Sequence, residues 1–245
     1  MIIAEIGLNH LGDRKILEYF LHSLVNSAVD AVTLQIREED FYNNSHWADF
    51  KLGDDLYRHA SREVRTAGKK FGLAVSDKAK ITQFKHDCDF FKILSKDLKR
   101  PDVLSAFKKT EVKCFLSTGN ASFDQIEEAL SFLNSDTTLI HTRLDNKVSS
   151  VNLLAINTMK QKFSEPIAFG NHCENLNVLY AATVFDPSDY FFYIKEGDVY
   201  EVPPDDKHAV GLADVNKICK NIVQLKQSIG TGIKAESRNI IEGQE

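Results

Sequence analysis

The sequence predicts a (β/α)8 TIM barrel, an α/β fold in which eight parallel strands form a closed inner sheet surrounded by helices. Three observations predict it. Apolar runs alternate with amphipathic helical segments almost from end to end of the 245 residues. The runs are too apolar to leave one face in water, as is typical of parallel strands covered on both sides. No Gly-rich phosphate fingerprint follows the first run, and an open doubly wound sheet would have fewer strands or a longer chain per unit.

The eight strands are predicted, in order, at residues 2–8, 31–36, 72–76, 90–94, 112–117, 138–143, 166–171 and 190–195. Apolar residues at helical spacing predict helices between them, most clearly at residues 14–28, 122–133, 151–162 and 212–228. Asp13 is a candidate N-cap of the first of these helices. Ser122 and Gln125 have the spacing of a capping box. We therefore predict one barrel domain over residues 1–233, followed by a polar, frayed tail over 234–245.

One long irregular segment, residues 37–53, follows the second predicted strand. In a barrel, the loops after the strands line the face that carries active sites. The segment is therefore either a lid over that face or an ordinary surface loop.

Composition narrows the class of protein. Thirty Lys and Arg against 35 Asp and Glu give a net charge of −5, which argues against nucleic acid or an anionic membrane as the main partner. Four scattered cysteines without a CxxC pair indicate a reducing compartment and no disulfide framework. No signal-like leader and no run of membrane-spanning length is present. These features predict a cytoplasmic protein whose partners are small molecules.

Polar residues are concentrated where the predicted strands end, which is the active-site face of a barrel. They are Glu5, Asn9, His10, Gln35, Arg37, Asp77, Lys92, Ser95, Asp97, Ser117, Thr118, His141, Arg143, Asn171 and His172. Lys92 lies within an apolar run, so it either faces the barrel and needs an anion or points outward to solvent. Ser95 and Ser117 end the neighbouring strands. One ammonium with several neutral donors predicts a phosphate site.

Several multi-residue motifs match one known family in the right order. They are Glu5-Ile6-Gly7-x-Asn9-His10-x-Gly12-Asp13, Asp30-Ala31-Val32-x-x-Gln35, Phe91-Lys92-Ile93-x-Ser95-x-Asp97, Leu116-Ser117-Thr118-Gly119, Leu139-Ile140-His141, Val151-Asn152-Leu153-x-Ala155-Ile156 and Pro204-Asp205-x-Lys207. On these motifs the chain resembles the sialic acid synthase (NeuB) family, which condenses phosphoenolpyruvate with an N-acylated amino sugar. The resemblance spans essentially the whole chain.

The resemblance implies roles for the matching residues. Lys92, Ser95 and Ser117 would hold the phosphate of phosphoenolpyruvate, and Glu5 would be an acid in the reacting centre. The further candidates for phosphoenolpyruvate binding are Asn9, Gln35 and Arg143, and the further catalytic candidates are Asp97 and His10. The segment after the last strand adds Asp205 and Lys207.

The resemblance also implies a divalent metal, manganese or magnesium, with His172 as a ligand. The family's second metal histidine falls, by an ungapped count back from Pro204, on Ile194. A lone histidine does not hold a catalytic metal well, and chemistry without a metal, as in related deoxy-octulosonate phosphate synthases, is the alternative.

Other positions also depart from the family pattern. The second-strand lysine that helps to bind phosphate is Thr33, and the Ser-Asp before the metal histidine is Gly170-Asn171. The Asn and Tyr after the sixth strand are Leu144 and Asn146. The chain stops where the family continues into an antifreeze-like domain, which in family dimers completes the partner's sugar site. A homodimer or a separate protein would then have to complete that site.

Arg143 replaces a small family residue and has two interpretations. It restores the positive charge missing at Thr33, since guanidinium is a good phosphate partner. Alternatively, it pairs with Glu5 or Asp145 in a site no longer used for catalysis.

Three functions follow as hypotheses. The first is a synthase that joins phosphoenolpyruvate to an aldose-type acceptor and releases phosphate, forming a 2-keto-3-deoxy sugar acid. The second is a catalytically degenerate barrel kept as a binding or regulatory partner in surface-carbohydrate biosynthesis. The third is a different barrel lyase in which Lys92 forms a Schiff base with a carbonyl substrate.

Overall fold

The computed structural model describes residues 1–196 and 202–233. Eight strands pair in parallel in chain order, and the first also pairs with the eighth, which closes the barrel. They are β1 (Ile2–Gly7), β2 (Ala31–Ile36), β3 (Lys70–Val75), β4 (Phe90–Ile93), β5 (Lys113–Ser117), β6 (Thr137–His141), β7 (Ile167–Asn171) and β8 (Tyr190–Lys195). A two-residue strand, β9 (Val210–Gly211), pairs with the end of β8. The predicted (β/α)8 fold is confirmed.

Helices cover the outside of the barrel. They are α1 (Arg14–Val25), α2 (Glu39–Tyr42), α3 (Asp54–Thr66), α4 (Lys78–Phe84), α5 (Pro101–Lys108), α6 (Phe123–Ser131), α7 (Ala155–Lys162), α8 (Asn177–Ala181) and α9 (Val215–Ile229). Asp13 caps α1 by accepting from the N–H groups of Lys15 and Ile16, and Ser122 forms the predicted capping box with Gln125. Within the described ranges, no helix is both long and apolar enough to cross a membrane.

Some predicted boundaries were wrong by a few residues. The helix predicted at 151–162 begins at Ala155, because a 3-10 turn, Val148–Ser150, and the positive φ of Asn152 (51°) precede it. The strand predicted at 138–143 ends at His141. The tail predicted over 234–245 lies outside the described residues.

Alternation along the strands divides the interior from the outer core. One side chain from each of several strands fills the lower barrel as an apolar plug, formed by Ile3, Ala31, Phe90, Phe115, Ile140, Ala168 and Phe191. Two residues further along the same strands come Glu5, Thr33, Lys92, Ser117, Thr142, Gly170 and Tyr193. Because side chains two residues apart share a face, this second set also faces the interior, nearer the carboxyl end. We call it the polar layer.

The segment 37–53 packs against the loop after β1. Within it, α2 is followed by a 3-10 turn, Ala48–Phe50. Leu8, Tyr42 and Phe50 form a small buried cluster, and Leu11 and Trp47 pack on it. The segment is thus an apolar cap at the carboxyl end of the barrel, beside the polar layer.

Gly12 makes this packing possible. Its φ is +73°, and a β-carbon there would lie 1.6 Å from the carbonyl oxygen of Asp49. We expect Gly12→Ala to lower the free energy of unfolding by several kcal/mol. Alanine in a left-handed conformation accounts for part of this loss, and the clash with Asp49 adds roughly 2 kcal/mol or more. Urea unfolding measures this loss, and fluorescence of Trp47, the only tryptophan, reports separation of the cap.

Gly68 provides the matched control. Its φ is +77° and nothing lies within 4 Å of the β-carbon that alanine would add. Gly68→Ala should cost only about 1–2 kcal/mol and leave the fluorescence of Trp47 unchanged. Equal losses in the two variants would show that the contact with Asp49 is unimportant.

Candidate active site

Lys92 and Glu5 form a buried ion pair at the centre of the polar layer. Lys92 Nζ lies 2.5 Å from Glu5 Oε1, and the two side chains are 4% and 3% exposed. The ammonium also lies over the rings of Phe191 and Tyr193, 5.3 and 5.4 Å from their centroids. Lys92 therefore faces the barrel interior, and the anion that it contacts is Glu5.

Asp205 brings a second carboxylate to the same region from the loop after β8. The Asn9 side chain holds this loop, because its Nδ2 donates to the carbonyl of Ile194 (2.8 Å) and its Oδ1 accepts from the N–H of Asp205 (3.2 Å). Burial, reinforced by the Glu5 charge and opposed by Lys92, raises the pKa of Asp205 to about 7. Asp205 is thus an acid that is partly protonated near neutral pH.

Three aromatic rings stand beside this group. His172 stacks on His208 with ring centroids 4.6 Å apart, and Tyr193 meets both rings edge-on. Burial, the neighbouring His208 and then Lys92 lower the pKa of His172 well below its usual range. Burial, with Lys92 and Lys195, lowers the pKa of His208 to about 4. Both histidines are therefore neutral at pH 7.

Hydroxyl groups lie on the other side of the polar layer. Ser117 is the last residue of β5, and Thr142 directly follows the neighbouring strand β6; each lies two residues beyond a plug residue, Phe115 or Ile140. Ser95 approaches the same place, since a β-carbon added at Gly119 would lie 2.8 Å from its Oγ. Ser95 thus follows β4, the strand that carries Lys92, and Ser117 ends the next strand, β5.

Buried polar atoms without a partner also mark this end of the barrel. Within the described residues, five buried side-chain nitrogen or oxygen atoms make no hydrogen bond, and four follow or end barrel strands at their carboxyl ends. These four are His10 Nε2, Thr142 Oγ1, Asn171 Oδ1 and His208 Nε2, the last of which lies 3.5 Å from Asp205 Oδ1. Such atoms are costly in a protein interior, and their concentration here points to a ligand site.

His10, a predicted catalytic candidate, is fully buried. Its Nδ1 accepts from the N–H of Gly12 (2.9 Å), so the proton resides on Nε2. Burial lowers the pKa of His10 to about 4, so the ring is neutral at pH 7. His10 is therefore a neutral donor whose Nε2–H is unpaired in the described part of the chain.

Three predicted candidates differ in where the structure places them. Gln35 is buried two residues beyond Thr33, on the same interior face of β2. Asp97 is buried away from the ion pair, and its two oxygens accept from Ser76 Oγ (2.6 Å) and Arg100 Nη1 (3.0 Å). Lys207 is exposed. Gln35 therefore joins the site, whereas Asp97 is occupied by structural partners and Lys207 points to solvent.

Arg143 does not join Lys92. It is exposed and, with His141, lines a cavity of about 320 Å³ that α6 and α7 also border through Phe123 and Met159. Thr142 also borders this cavity, and Arg143 lies beyond the end of β6. No contact among the described residues brings it to Lys92, Ser95 or Ser117. The geometry therefore argues against a compensating role at the phosphate site.

Ile194 is on the outer side of its strand. It belongs to the core between barrel and helices, and Tyr193 takes the interior position on β8. The ungapped count thus placed the family's second metal histidine on a residue that faces away from the site. Tyr193 occupies the space that a ligand from β8 would need.

The donor set does not fit the two-histidine metal site that the resemblance implies. In the ranges 1–196 and 202–233, no three His, Cys, Asp or Glu side chains are grouped so as to hold a metal ion. The ring of His172 packs against His208 and Tyr193 rather than converging with a second ligand on one point. We therefore assign no chemical step to a metal.

Sequence reasoning missed two residues of the site, Thr142 and Tyr193. A signal existed for both, because each lies two residues beyond a plug residue, Ile140 or Phe191, and must share its face. His208 follows the predicted Pro204-Asp205-x-Lys207 segment, but its position beside His172 depends on a loop that the hydrogen bonds of Asn9 hold.

Comparisons with known proteins identify the family. The NeuB family model matches residues 15–234. N,N'-diacetyllegionaminic acid synthase of Campylobacter jejuni is 25% identical over 98% of this chain and 80% of its own length. Pseudaminic acid synthase of Helicobacter pylori is 24% identical over 70% of this chain and 58% of its own.

Solved structures share the fold. N-acetylneuraminic acid (sialic acid) synthetase from Leptospira borgpetersenii, solved with citrate, superposes with a TM-score of 0.87 at 22% identity, covering 97% of this chain and 87% of that one. A truncated 3-deoxy-D-arabino-heptulosonate 7-phosphate synthase from Thermotoga maritima gives 0.75 at 13% identity, over 94% and 87%. With the family model matching most of its length, the chain belongs to the NeuB family.

Proposed function

We propose that the protein condenses phosphoenolpyruvate with an N-acylated amino sugar or related aldose, forming a 2-keto-3-deoxy sugar acid and releasing phosphate. The observation that carries the proposal is the polar layer, which sets Lys92 and Glu5 beside interior hydroxyls at the carboxyl end of a NeuB-family barrel. The named functions of two relatives, both sugar acid synthases, support the same reaction class.

In this proposal Lys92, Ser95 and Ser117 bind the phosphoryl group, and Asn9 and Gln35 line the approach to it. Lys92 is already paired with Glu5, so an arriving phosphate competes with that carboxylate for the ammonium. Protonation of Asp205, whose pKa burial raises to about 7, relieves the repulsion between its carboxylate and the phosphate. Binding of phosphoenolpyruvate is therefore expected to take up protons.

In this proposal Asp205 and Glu5 each carry out one proton transfer. C3 of phosphoenolpyruvate bonds to the aldehyde carbon, and the partly protonated Asp205 donates to the carbonyl oxygen as its π-bond breaks. Water then adds to C2, with Glu5 as the base that takes its proton. The C2–O bond to phosphate then breaks, and phosphate departs with the bridging oxygen. The remaining proton of the C2 hydroxyl passes to the departing phosphate, and the water oxygen becomes the ketone oxygen.

The degenerate barrel remains the second candidate, and specific observations favour it. Thr33 stands where the family has a phosphate-binding lysine, and Glu5 neutralises the buried Lys92. A site with these features can hold a ligand weakly without turning it over. It would then act as a binding or regulatory partner, alone or with a protein that completes the sugar site.

Calorimetry and turnover distinguish the candidates. We expect phosphoenolpyruvate to bind, and phosphate and a 2-keto acid to appear together when an N-acylated amino sugar is added, with and without manganese as separate arms. No binding in either arm would contradict the synthase. Binding without product across a panel of such sugars would favour the degenerate barrel. Borohydride trapping of a Lys92 adduct would instead support the lyase.

A further inference from the structure

Thr142 carries an interior hydroxyl whose role the fold leaves unexplained. The residue is 4% exposed, and its Oγ1 is buried without a hydrogen-bond partner in the described part of the chain. Neighbouring Thr118 shows the usual solution, because its hydroxyl donates to the carbonyl of Ile140 (2.8 Å). An unsatisfied buried hydroxyl destabilises the folded state, so its retention needs another reason.

The position of Thr142 suggests that reason. It lies two residues beyond the plug residue Ile140, and thus in the polar layer with Lys92 and Ser117. Lys92 lies on β4, Ser117 ends β5 and Thr142 directly follows β6, and these strands are neighbours because β4 pairs with β5 and β5 with β6. The next strand, β7, contributes Gly170, which has no side chain to cover the hydroxyl.

Two glycines keep the space around this hydroxyl open. A β-carbon at Gly170 would lie 3.5 Å from Thr142 Oγ1, and one at Gly119 would lie 2.8 Å from Ser95 Oγ and 3.3 Å from Thr142 Cγ2. Ser95 and Thr142 thus both lie next to Gly119, and the Thr142 hydroxyl lies next to Gly170. We call Ser95, Ser117, Gly119, Thr142 and Gly170 the hydroxyl cradle.

We propose that Thr142 is a phosphoryl-binding residue that donates its hydroxyl to an oxygen of phosphoenolpyruvate in the hydroxyl cradle. This inference rests on the proposed function. Phosphoryl oxygens accept hydrogen bonds from neutral donors, and such donors matter more here because Glu5 already neutralises Lys92. The donor left unpaired in the free protein becomes satisfied only when the ligand binds.

Thr142→Val tests the proposal, because valine keeps the shape and removes only the hydroxyl. We expect binding of phosphoenolpyruvate, measured by calorimetry, to weaken about tenfold. We also expect the melting temperature to stay the same or rise, since an unsatisfied polar group is replaced by an apolar one. A hydroxyl with a purely structural role would give the opposite result, a lower melting temperature and unchanged affinity.

Two further variants of Thr142 and one control variant separate loss of the hydroxyl from a defect in folding. Thr142→Ser retains the donor and should bind within about threefold of the wild type, and Thr142→Ala should repeat the loss if valine perturbs folding. Thr183→Val is the matched control: its buried hydroxyl donates to the Tyr180 carbonyl away from the site, so stability should fall while affinity holds. If the wild type binds phosphoenolpyruvate and Thr142→Val binds it with equal affinity, this inference alone is overturned. Failure of the wild type to bind would reject the proposed function itself.

Discussion

Replacing Lys92 by methionine is expected to lower the free energy of unfolding by about 3–5 kcal/mol and to remove binding of phosphoenolpyruvate. The loss of stability arises because Glu5 would remain as a carboxylate only 3% exposed, with its ammonium partner gone. Urea unfolding measures the stability, and calorimetry measures the binding.

A double variant separates the loss of stability from the loss of binding. Glu5→Gln with Lys92→Met removes both charges, so stability should return to within about 2 kcal/mol of the wild type, because a buried ion pair gains little over neutral partners. Binding should stay absent, since the cation for the phosphate is missing. Recovery of binding in the double variant would refute the role of Lys92 in holding phosphate.

Lys96→Met is the control for the loss of an ion pair as such. Lys96 Nζ lies 2.6 Å from Glu38 Oε1, but the lysine side chain is 36% exposed. Exposed pairs contribute about 0–1 kcal/mol, so this variant should be nearly as stable as the wild type. If Lys92→Met lowered the free energy of unfolding no more than Lys96→Met does, the ion pair of Lys92 and Glu5 would not be shielded from water.

Asp205→Asn is expected to stabilise the protein at pH 8 and much less at pH 5. The pKa of Asp205 rises from 3.8 to about 7 on folding, so the folded state favours the neutral carboxyl. The resulting stabilisation is complete below pH 4 and is lost as the pH rises through 7. At about 1.4 kcal/mol per pKa unit, the full shift corresponds to about 4 kcal/mol of stability. Because 22% of the Asp205 side chain is exposed, we expect about half of that energy to be measured.

The comparison must be made between variant and wild type at each pH. His10 and His208 have pKa values lowered to about 4, so the folded state also loses stability as the pH falls below 6.5. That loss occurs in both proteins and largely cancels in the difference. Urea unfolding at pH 5 and pH 8 gives the two differences, and turnover should fall in the variant if Asp205 supplies the proton.

Asp206→Asn is the matched control for this experiment. Asp206 Oδ1 lies 2.7 Å from Lys195 Nζ in a partly exposed pair. Its loss should cost about 0–1 kcal/mol with little change between pH 5 and pH 8. A pH-independent gain in Asp205→Asn would contradict the assignment of a raised pKa to Asp205.

The opening strand shows how far sequence reasoning reached. The apolar run around Glu5 predicts a buried strand, and a buried carboxylate needs a partner. The structure identifies that partner as Lys92, 87 positions away. Both halves of the pair were predicted at the barrel mouth, but their contact was not. Closure of β1 on β8 and the tilt of the strands determine which side chains meet across the interior.

The eighth strand shows where sequence reasoning failed. Counting back from Pro204 placed Ile194 in the site, whereas the alternation of β8 places Tyr193 there. A shift of one residue reverses the face on which a side chain lies, and no local pattern in this apolar strand fixes the register. The plug residue Phe191 fixes it, but only once the fold shows which residues form the plug.

The sequence by itself determined the repeating β/α pattern, the barrel and the face on which the polar residues gather, because hydrophobic periodicity and strand polarity are local properties. Only the tertiary structure decided the partners within that face. It paired Glu5 with Lys92, exposed Arg143 to solvent, stacked His172 on His208 and left the Thr142 hydroxyl open. These choices depend on register, on burial and on one loop path, which join residues far apart in the chain.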